Sequence, residues 1–295
     1  MNKRSMRGRI HRVMVAISSI VFVTSLSSIF AQSPTSEKEL KMSERKKQVT
    51  DLLKSIETGD AKPAAVVNQN RYIQHNLAVA DGIEGFVALL KQLPKDSAKV
   101  KTVRVFQDGD FVFTHTEYDF FGPKIGFDVF RFEEGKIVEH WDNLQATPKE
   151  PNPSNHTMTD GPIKLRDIDR TDANKTIVRG FVDDVLVNGK LDKLAGHFDG
   201  DNYVQHNPQI GDGLSGLGKA LDAIAKAGTA MKYDKVHKVL GEGDFVLVMS
   251  EGKLGGNRVA FYDLFRVEND KIAEHWDTIE AVPEKKDWKN GNGKF

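Results

Sequence analysis

The chain has no cysteine. That excludes disulfides, thiolate metal centres, a cysteine nucleophile and a lipid-modified cysteine behind a leader. It has no excess of either charge: 42 Lys and Arg balance 42 Asp and Glu, so the formal net charge is zero. A nucleic-acid binder usually carries a basic surplus, and none is expected here. It also lacks the glycine-rich phosphate loops and the nucleophile-elbow serine pattern of common enzyme families. Long apolar runs are absent but for one, Val13 to Phe30, behind the basic cluster Lys3, Arg4, Arg7, Arg9 and Arg12. With Ala31 as the small residue before a cut, this is the layout of a secretory signal peptide over 1–31. A periplasmic or secreted protein is expected, with membrane contact only if that segment stays uncleaved. Without disulfides, such a protein relies on its cores alone.

What the 295 residues contain is a repeat. Residues 72–85 read YIQHNLAVADGIEG and 203–216 read YVQHNPQIGDGLSG, identical at seven of fourteen positions. Residues 127–148 (FDVFRFEEGKIVEHWDNLQATP) and 262–283 (YDLFRVENDKIAEHWDTIEAVP) agree at twelve of twenty-two. Order and spacing are kept, so a whole domain is duplicated. Domains are expected over 43–148 and 171–283, joined by a linker at 149–170 rich in Pro, Asn and Asp, with a tail at 284–295.

Each copy opens with helical periodicity. Val49, Leu52, Leu53 and Ile56 mark one face, with Ser43 as N-cap and Gly59 as C-cap; Val178, Phe181, Val182 and Val185 match it. A second helix carries Ile83, Phe86, Val87 and Leu90, matched by Leu214, Leu217, Leu221 and Ile224. Asp81 and Asp212 stand before these helices as N-caps. Four strand-like runs follow in each copy. Helices first and strands afterwards predict an α+β domain with helices on one face of the sheet.

The last hairpin is the place for chemistry. If Phe132 pairs with Val138 across Glu134–Gly135, one face carries Asp128, Phe130, Phe132, Val138, His140 and Asp142. The other carries Val129, Arg131, Ile137, Glu139 and Trp141, with Arg131 opposite Glu139. Copy two repeats the pattern, with Asp263, Phe265, His275 and Asp277 against Arg266, Glu274 and Trp276. Carboxylates among aromatics suit a pocket with an apolar floor. There a raised carboxyl pKa serves proton transfer at carbon. The plain alternative is that these Asp are rim residues bonded to backbone or water, with His140 a satisfied hairpin histidine. In the YxQHN segment, His75, Asn76, His206 and Asn207 either contact a ligand or cap a turn. No set of His and Asp shows compact metal-ligand spacing, so no metal site is expected.

The YxQHN…DG…G segment followed by FDxFR…KIxEHWD resembles the SnoaL-like branch of the nuclear-transport-factor-2-like superfamily, over nearly all of both copies. The resemblance implies a cone: a curved antiparallel or mixed, cystatin-like sheet against about three helices, with a deep pocket. It implies aldol or enolisation chemistry on a small carbonyl compound without a cofactor. Asp142, Asp277, Asp128 and Asp263 would be the acid/base candidates, and His75, Asn76, His140, His206, Asn207 and His275 the pocket candidates. A non-catalytic module binding a small apolar molecule, and a purely structural role, remain open. Sheet-mediated pairing in the family leads to the expectation that the copies pack as a built-in pseudo-dimer with both tryptophans facing away from the pockets, and leaves room for a homodimer.

Overall fold

A computed structural model describes residues 35–93 and 97–295, with side chains from Glu44 onward except Ala225. The signal-peptide reading of 1–31 lies outside these residues.

Repeat one runs α1 (Thr35–Thr58), a 3-10 turn (Lys62–Val66), β1 (Ile73–Gln74), α2 (Gly82–Gln92), then β2 (Lys99–Asp108), β3 (Phe111–Asp119), β4 (Pro123–Glu133) and β5 (Lys136–Ala146). Repeat two runs α3 (Thr171–Phe181) into a π-helical turn (Val182–Val187), a 3-10 turn (Leu191–His197), β6 (Val204–Gln205) and α4 (Gly213–Lys226). It ends in β7 (Met231–Glu242), β8 (Phe245–Leu254), β9 (Asn257–Glu268) and β10 (Lys271–Ala281). Both sheets are five-stranded and share one topology, β1-β5-β4-β3-β2 and β6-β10-β9-β8-β7. The short first strand is parallel to the last long one, so each sheet is mixed. This is the expected α+β class.

Two helix boundaries differ from expectation. Helix α1 starts at Thr35, so Ser43 lies inside it. Asp81 holds the N-cap position of α2 without bonding a helix N–H; its Oδ1 accepts the Gln74 N–H at 2.9 Å, and Asp212 does the same for Gln205. The aspartate thus ties the helix start to the short strand. Gly59 does end α1, at φ +70° with its N–H on the Ser55 carbonyl. Inside α2 and α4, Gly85 and Gly216 press on the preceding loop: a Cβ would stand 1.9 Å from the Ala80 oxygen and 2.2 Å from the Gly211 oxygen. Gly85→Ala and Gly216→Ala should each cost about 1–3 kcal/mol in urea denaturation. An unchanged midpoint would mean the loop yields freely.

One face of each sheet packs on its own helices. Val49, Leu52 and Leu53 meet Phe130, Phe132 and Ile137 in repeat one; Val178, Phe181 and Val182 meet Val246, Phe265 and Ile272 in repeat two. The opposite faces pack on each other. Trp141, Phe113 and Phe127 share one core with Trp276, Phe245 and Tyr262, across the two repeats. Asn143 Nδ2 crosses this interface to the Thr278 carbonyl at 2.8 Å.

The irregular segments are exchanged. In 149–170, Asn152 Nδ2 donates to the Gln205 and Ile210 carbonyls of repeat two. In 284–295, Asn290 Nδ2 donates to the Asn76 and Val79 carbonyls of repeat one. The chain following each repeat therefore straps the other repeat's YxQHN segment.

Candidate functional site

The hairpin register places the site. Asp128 pairs with Asp142, Phe130 with His140 and Arg131 with Glu139, as the alternation predicted. Repeat two matches it with Asp263 on Asp277, Phe265 on His275 and Arg266 on Glu274. The charge pairs form, at 2.7 Å for Arg131 Nε to Glu139 Oε2 and 2.8 Å for Arg266 Nε to Glu274 Oε2. The expected pairing of Phe132 with Val138 does not form. A β-bulge shifts Phe132 onto Ile137, and Ile137 turns into the helix-side core. The extra residue of a bulge reverses the alternation beyond it.

Behind the helices each sheet encloses a cavity, of 320 Å³ in repeat one and 260 Å³ in repeat two. Asp128, His140, Asp142 and Asn76 line the first; Asp263, His275, Asp277 and Asn207 line the second. One side-chain heteroatom from each of Asp128, His140 and Asp142 lies within 4.8 Å of the other two, and the same holds for Asp263, His275 and Asp277. These six Asp and His side chains are buried.

His75 and His206, expected in the pockets, are not there. Side chains of an extended segment alternate. Gln74 and Asn76 face the cavity, and His75 between them turns to the other side of the sheet. It stacks on Trp141 at 4.7 Å and holds Glu139 at 3.0 Å. His206 stacks on Trp276 at 4.6 Å and holds Glu274 at 2.8 Å. Burial also pushes the His75 imidazole pKa down, against the Glu139 carboxylate.

Hydrogen-bond polarity locates a proton in each pocket. Gln74 Oε1 accepts the Asn76 N–H, which fixes the amide's orientation. The same oxygen lies 3.0 Å from His140 Nδ1, so that nitrogen must carry a hydrogen. His140 Nε2 is 3.2 Å from Asp128 Oδ1. A neutral ring would present a lone pair to a carboxylate there, so the pair holds one further proton, on nitrogen or on oxygen. Repeat two gives the same result: Gln205 Oε1 accepts the Asn207 N–H and lies 2.9 Å from His275 Nδ1, while His275 Nε2 is 3.1 Å from Asp263 Oδ1.

Each of these aspartates also accepts a phenol. Tyr118 Oη donates to Asp128 Oδ2 at 2.6 Å, and Tyr233 Oη to Asp263 Oδ1 at 3.1 Å. Burial, with the nearby aspartate charge, raises both phenol pKa values well above their usual range. The two tyrosines stand at non-equivalent positions. Tyr118 on β3 pairs with Val100 on β2, whereas Tyr233 on β7 pairs with Gly252 on β8. Each repeat therefore delivers the phenol from a different strand to the same carboxylate. Tyr72 and Gln74 line the first cavity and Tyr203 and Gln205 the second, although motif spacing alone does not single them out. Tyr118 and Tyr233 leave no signal between the repeats, because the positions are exchanged.

The second carboxylates differ between pockets. Asn76 Nδ2 donates to Asp142 Oδ2 at 2.5 Å, and Lys294 Nζ from the tail stands 3.6 Å from Asp142 Oδ1. Asn207 Nδ2 donates to Asp277 Oδ2 at 2.7 Å; neither Asp142 Oδ1 nor Asp277 Oδ1 has a hydrogen-bond partner among the described residues. Burial raises the Asp277 carboxyl to about 6, helped by Asp263 and opposed by His275 and Asn207. Two carboxylates and an imidazole are also a donor set that a divalent cation accepts. The amide, phenol and ring donors already on these oxygens fit a proton site.

Residues 178–275 match the family model described as SnoaL-like domain. The second repeat is a SnoaL-like domain. Similar solved structures include a candidate ketosteroid isomerase from Kribbella flavida, 17% identical, covering 39% of this chain and 83% of that one, TM-score 0.33. IdmH, a candidate polyketide cyclase from Streptomyces antibioticus, is 15% identical over 34% of this chain and 90% of its own, TM-score 0.30. An LEH-like epoxide hydrolase from M. tuberculosis is 23% identical over 38% and 85%, TM-score 0.30. No curated protein sequence matches the chain.

Proposed function

We propose that this is an exported protein whose pockets perform cofactor-independent acid/base chemistry on a small carbonyl compound, of the aldol or enolisation type. The observation that carries the reading is an Asp–His pair at hydrogen-bond distance beside a second buried carboxyl, built in both repeats. Asp277, protonated up to about pH 6, can give or take a proton near neutrality. Asp263, which accepts from Tyr233 and faces His275, stands beside Asp277 in the same pocket, so a second carboxyl is at hand for the proton transfer. Export is proposed from the basic and apolar segment at 3–31.

The test is hydrogen exchange at the α-carbons of cyclohexanone and acetophenone in D2O, followed by NMR. Wild type should accelerate exchange, and the Asp142→Asn, Asp277→Asn double variant should lose ~10²–10⁴-fold of that rate. Acceleration that survives the double variant would remove these carboxyls from the mechanism. The second reading is a binding module, favoured by the largely apolar walls, such as Phe181, Leu217 and Leu221 in repeat two. It predicts saturable chemical-shift changes with no exchange.

A further inference from the structure

Outside both pockets, the strap at 149–170 brings His156 and Asp160 against His206. His156 Nδ1 lies 3.1 Å from Asp160 Oδ2, and His206 Nδ1 lies 2.7 Å from Asp160 Oδ1 and 2.9 Å from the Thr157 carbonyl. The far nitrogen of each ring also faces a carboxylate. His156 Nε2 is 3.2 Å from Asp212 Oδ2, and His206 Nε2 is 2.8 Å from Glu274 Oε1. One carboxylate thus lies between two imidazoles, each backed by a carboxylate of its own. A neutral imidazole has one N–H, so it can satisfy only one of two facing oxygens. Once Asp212 and Glu274 take the Nε2 hydrogens, both Nδ1 lone pairs point at the Asp160 carboxylate. That arrangement calls for a positive charge between them.

We propose that His156 Nδ1, His206 Nδ1 and the Asp160 carboxylate form a binding site for a divalent transition-metal cation, zinc being the probe of choice. Metal-ligating histidines characteristically donate the other ring N–H to a carboxylate, which fixes the tautomer and raises ligand basicity. Both rings here have that backing. One backing group, Glu274, is itself held by Arg266 at 2.8 Å. The Thr157 carbonyl offers a fourth oxygen, or a water completes the set.

The three donor atoms already lie within 4.8 Å of one another. Tetrahedral ligands around zinc stand roughly 3.3 Å apart, so the Asp160 contacts at 2.7 and 3.1 Å must lengthen and any pair as wide as 4.8 Å must close. His156 and Asp160 are on the partly exposed strap and can give, while His206 is buried and fixed. The strap's course is set independently of the cluster. The Asp160 carbonyl accepts Arg104 Nη2 at 2.7 Å and Trp276 Nε1 at 3.0 Å. Among the described residues repeat one has no counterpart: His75 Nδ1 meets the Gly293 carbonyl, and the tail from Trp288 to Phe295 holds no His, Asp or Glu. The site is therefore not a by-product of the repeated fold.

Bound metal would pin the strap to repeat two. The test is isothermal titration of the untagged protein with zinc chloride at pH 7.5, with a parallel thermal-denaturation scan. One equivalent should bind, with proton release and a higher Tm. His156→Ala and Asp160→Asn, both at partly exposed positions, should weaken binding at least ~100-fold and abolish the Tm rise. His140→Gln and His275→Gln should leave zinc binding unchanged. No saturable binding to the wild type, binding that survives both strap variants, or binding lost on changing His140 or His275 would each overturn the proposal.

Discussion

Asp277→Asn should be more stable than the wild-type protein at pH 8 and equal to it near pH 4. The Asp277 carboxyl is fully enclosed, and burial raises it from an ordinary 3.8 to about 6. In the unfolded chain it ionises near 3.9. A folded-state pKa above the unfolded one contributes stability that is complete below the unfolded value and is lost as pH rises through the folded one. Above pH 6 the native protein must carry an ionised carboxylate whose Oδ1 has no hydrogen-bond partner among the described residues. A move from 3.8 to about 6 corresponds to about 3 kcal/mol. Asparagine keeps the shape, accepts the Asn207 amide through its own oxygen and never ionises. Urea denaturation of both proteins at pH 4, 6 and 8 checks this, since other groups cancel in the difference. A constant difference across the three pH values would mean that Asp277 is not held protonated. Asp142→Asn should not reproduce the gain, because it leaves the buried Lys294 ammonium with Glu280 alone. A stabilising substitution at a proposed acid/base residue is the expected signature of a site that trades stability for chemistry.

The parts of this site that were legible in the sequence obeyed simple periodicity. Alternation along the hairpin put Asp128, His140 and Asp142 on one face, and the Arg131–Glu139 pair, repeated as Arg266–Glu274, selected the register. The bulge after Arg131 was not legible: a single extra residue costs one ladder position and leaves no compositional mark. The misplacement of His75 and His206 had a different origin. Both were grouped with the adjoining asparagines as neighbours in a motif. In extended backbone, neighbours face opposite ways, and β1 and β6 are too short to announce themselves as strands. The tyrosines at 118 and 233 were hidden because comparing the repeats rewards identity at equivalent positions. Here a Tyr over Gly126 in one repeat is replaced by a Tyr over Phe261 in the other, from the neighbouring strand. The two straps have no periodicity at all. Their order comes from Asn152, Asn290 and Asn292 bonding carbonyls of the opposite repeat, contacts between residues 53 to 218 positions apart.

Trp276→Ala should be among the most damaging single substitutions, at about 3–5 kcal/mol. The indole is fully buried in the core shared by the two sheets. It touches elements of both repeats and the strap between them. Its N–H donates to the Asp160 carbonyl at 3.0 Å, its face carries the Arg104 guanidinium at 4.4 Å, and it stacks on His206. Truncation would leave a cavity, strip an aromatic partner from a buried cation and free a carbonyl that orders the strap. Trp276→Phe should recover most of the packing but not the hydrogen bond. Urea denaturation gives the comparison, and a loss below about 1 kcal/mol for the alanine variant would show that the sheets do not rely on this contact. The consequence extends through the sheet. His275 and Asp277 flank Trp276 on β10 and face the cavity, so one strand carries the inter-sheet core on one side and the proton site on the other. Repacking at Trp276 must shift both neighbours. Trp276→Ala should therefore disturb the pH dependence of Asp277 as well as stability, although no atom of the indole lines the pocket.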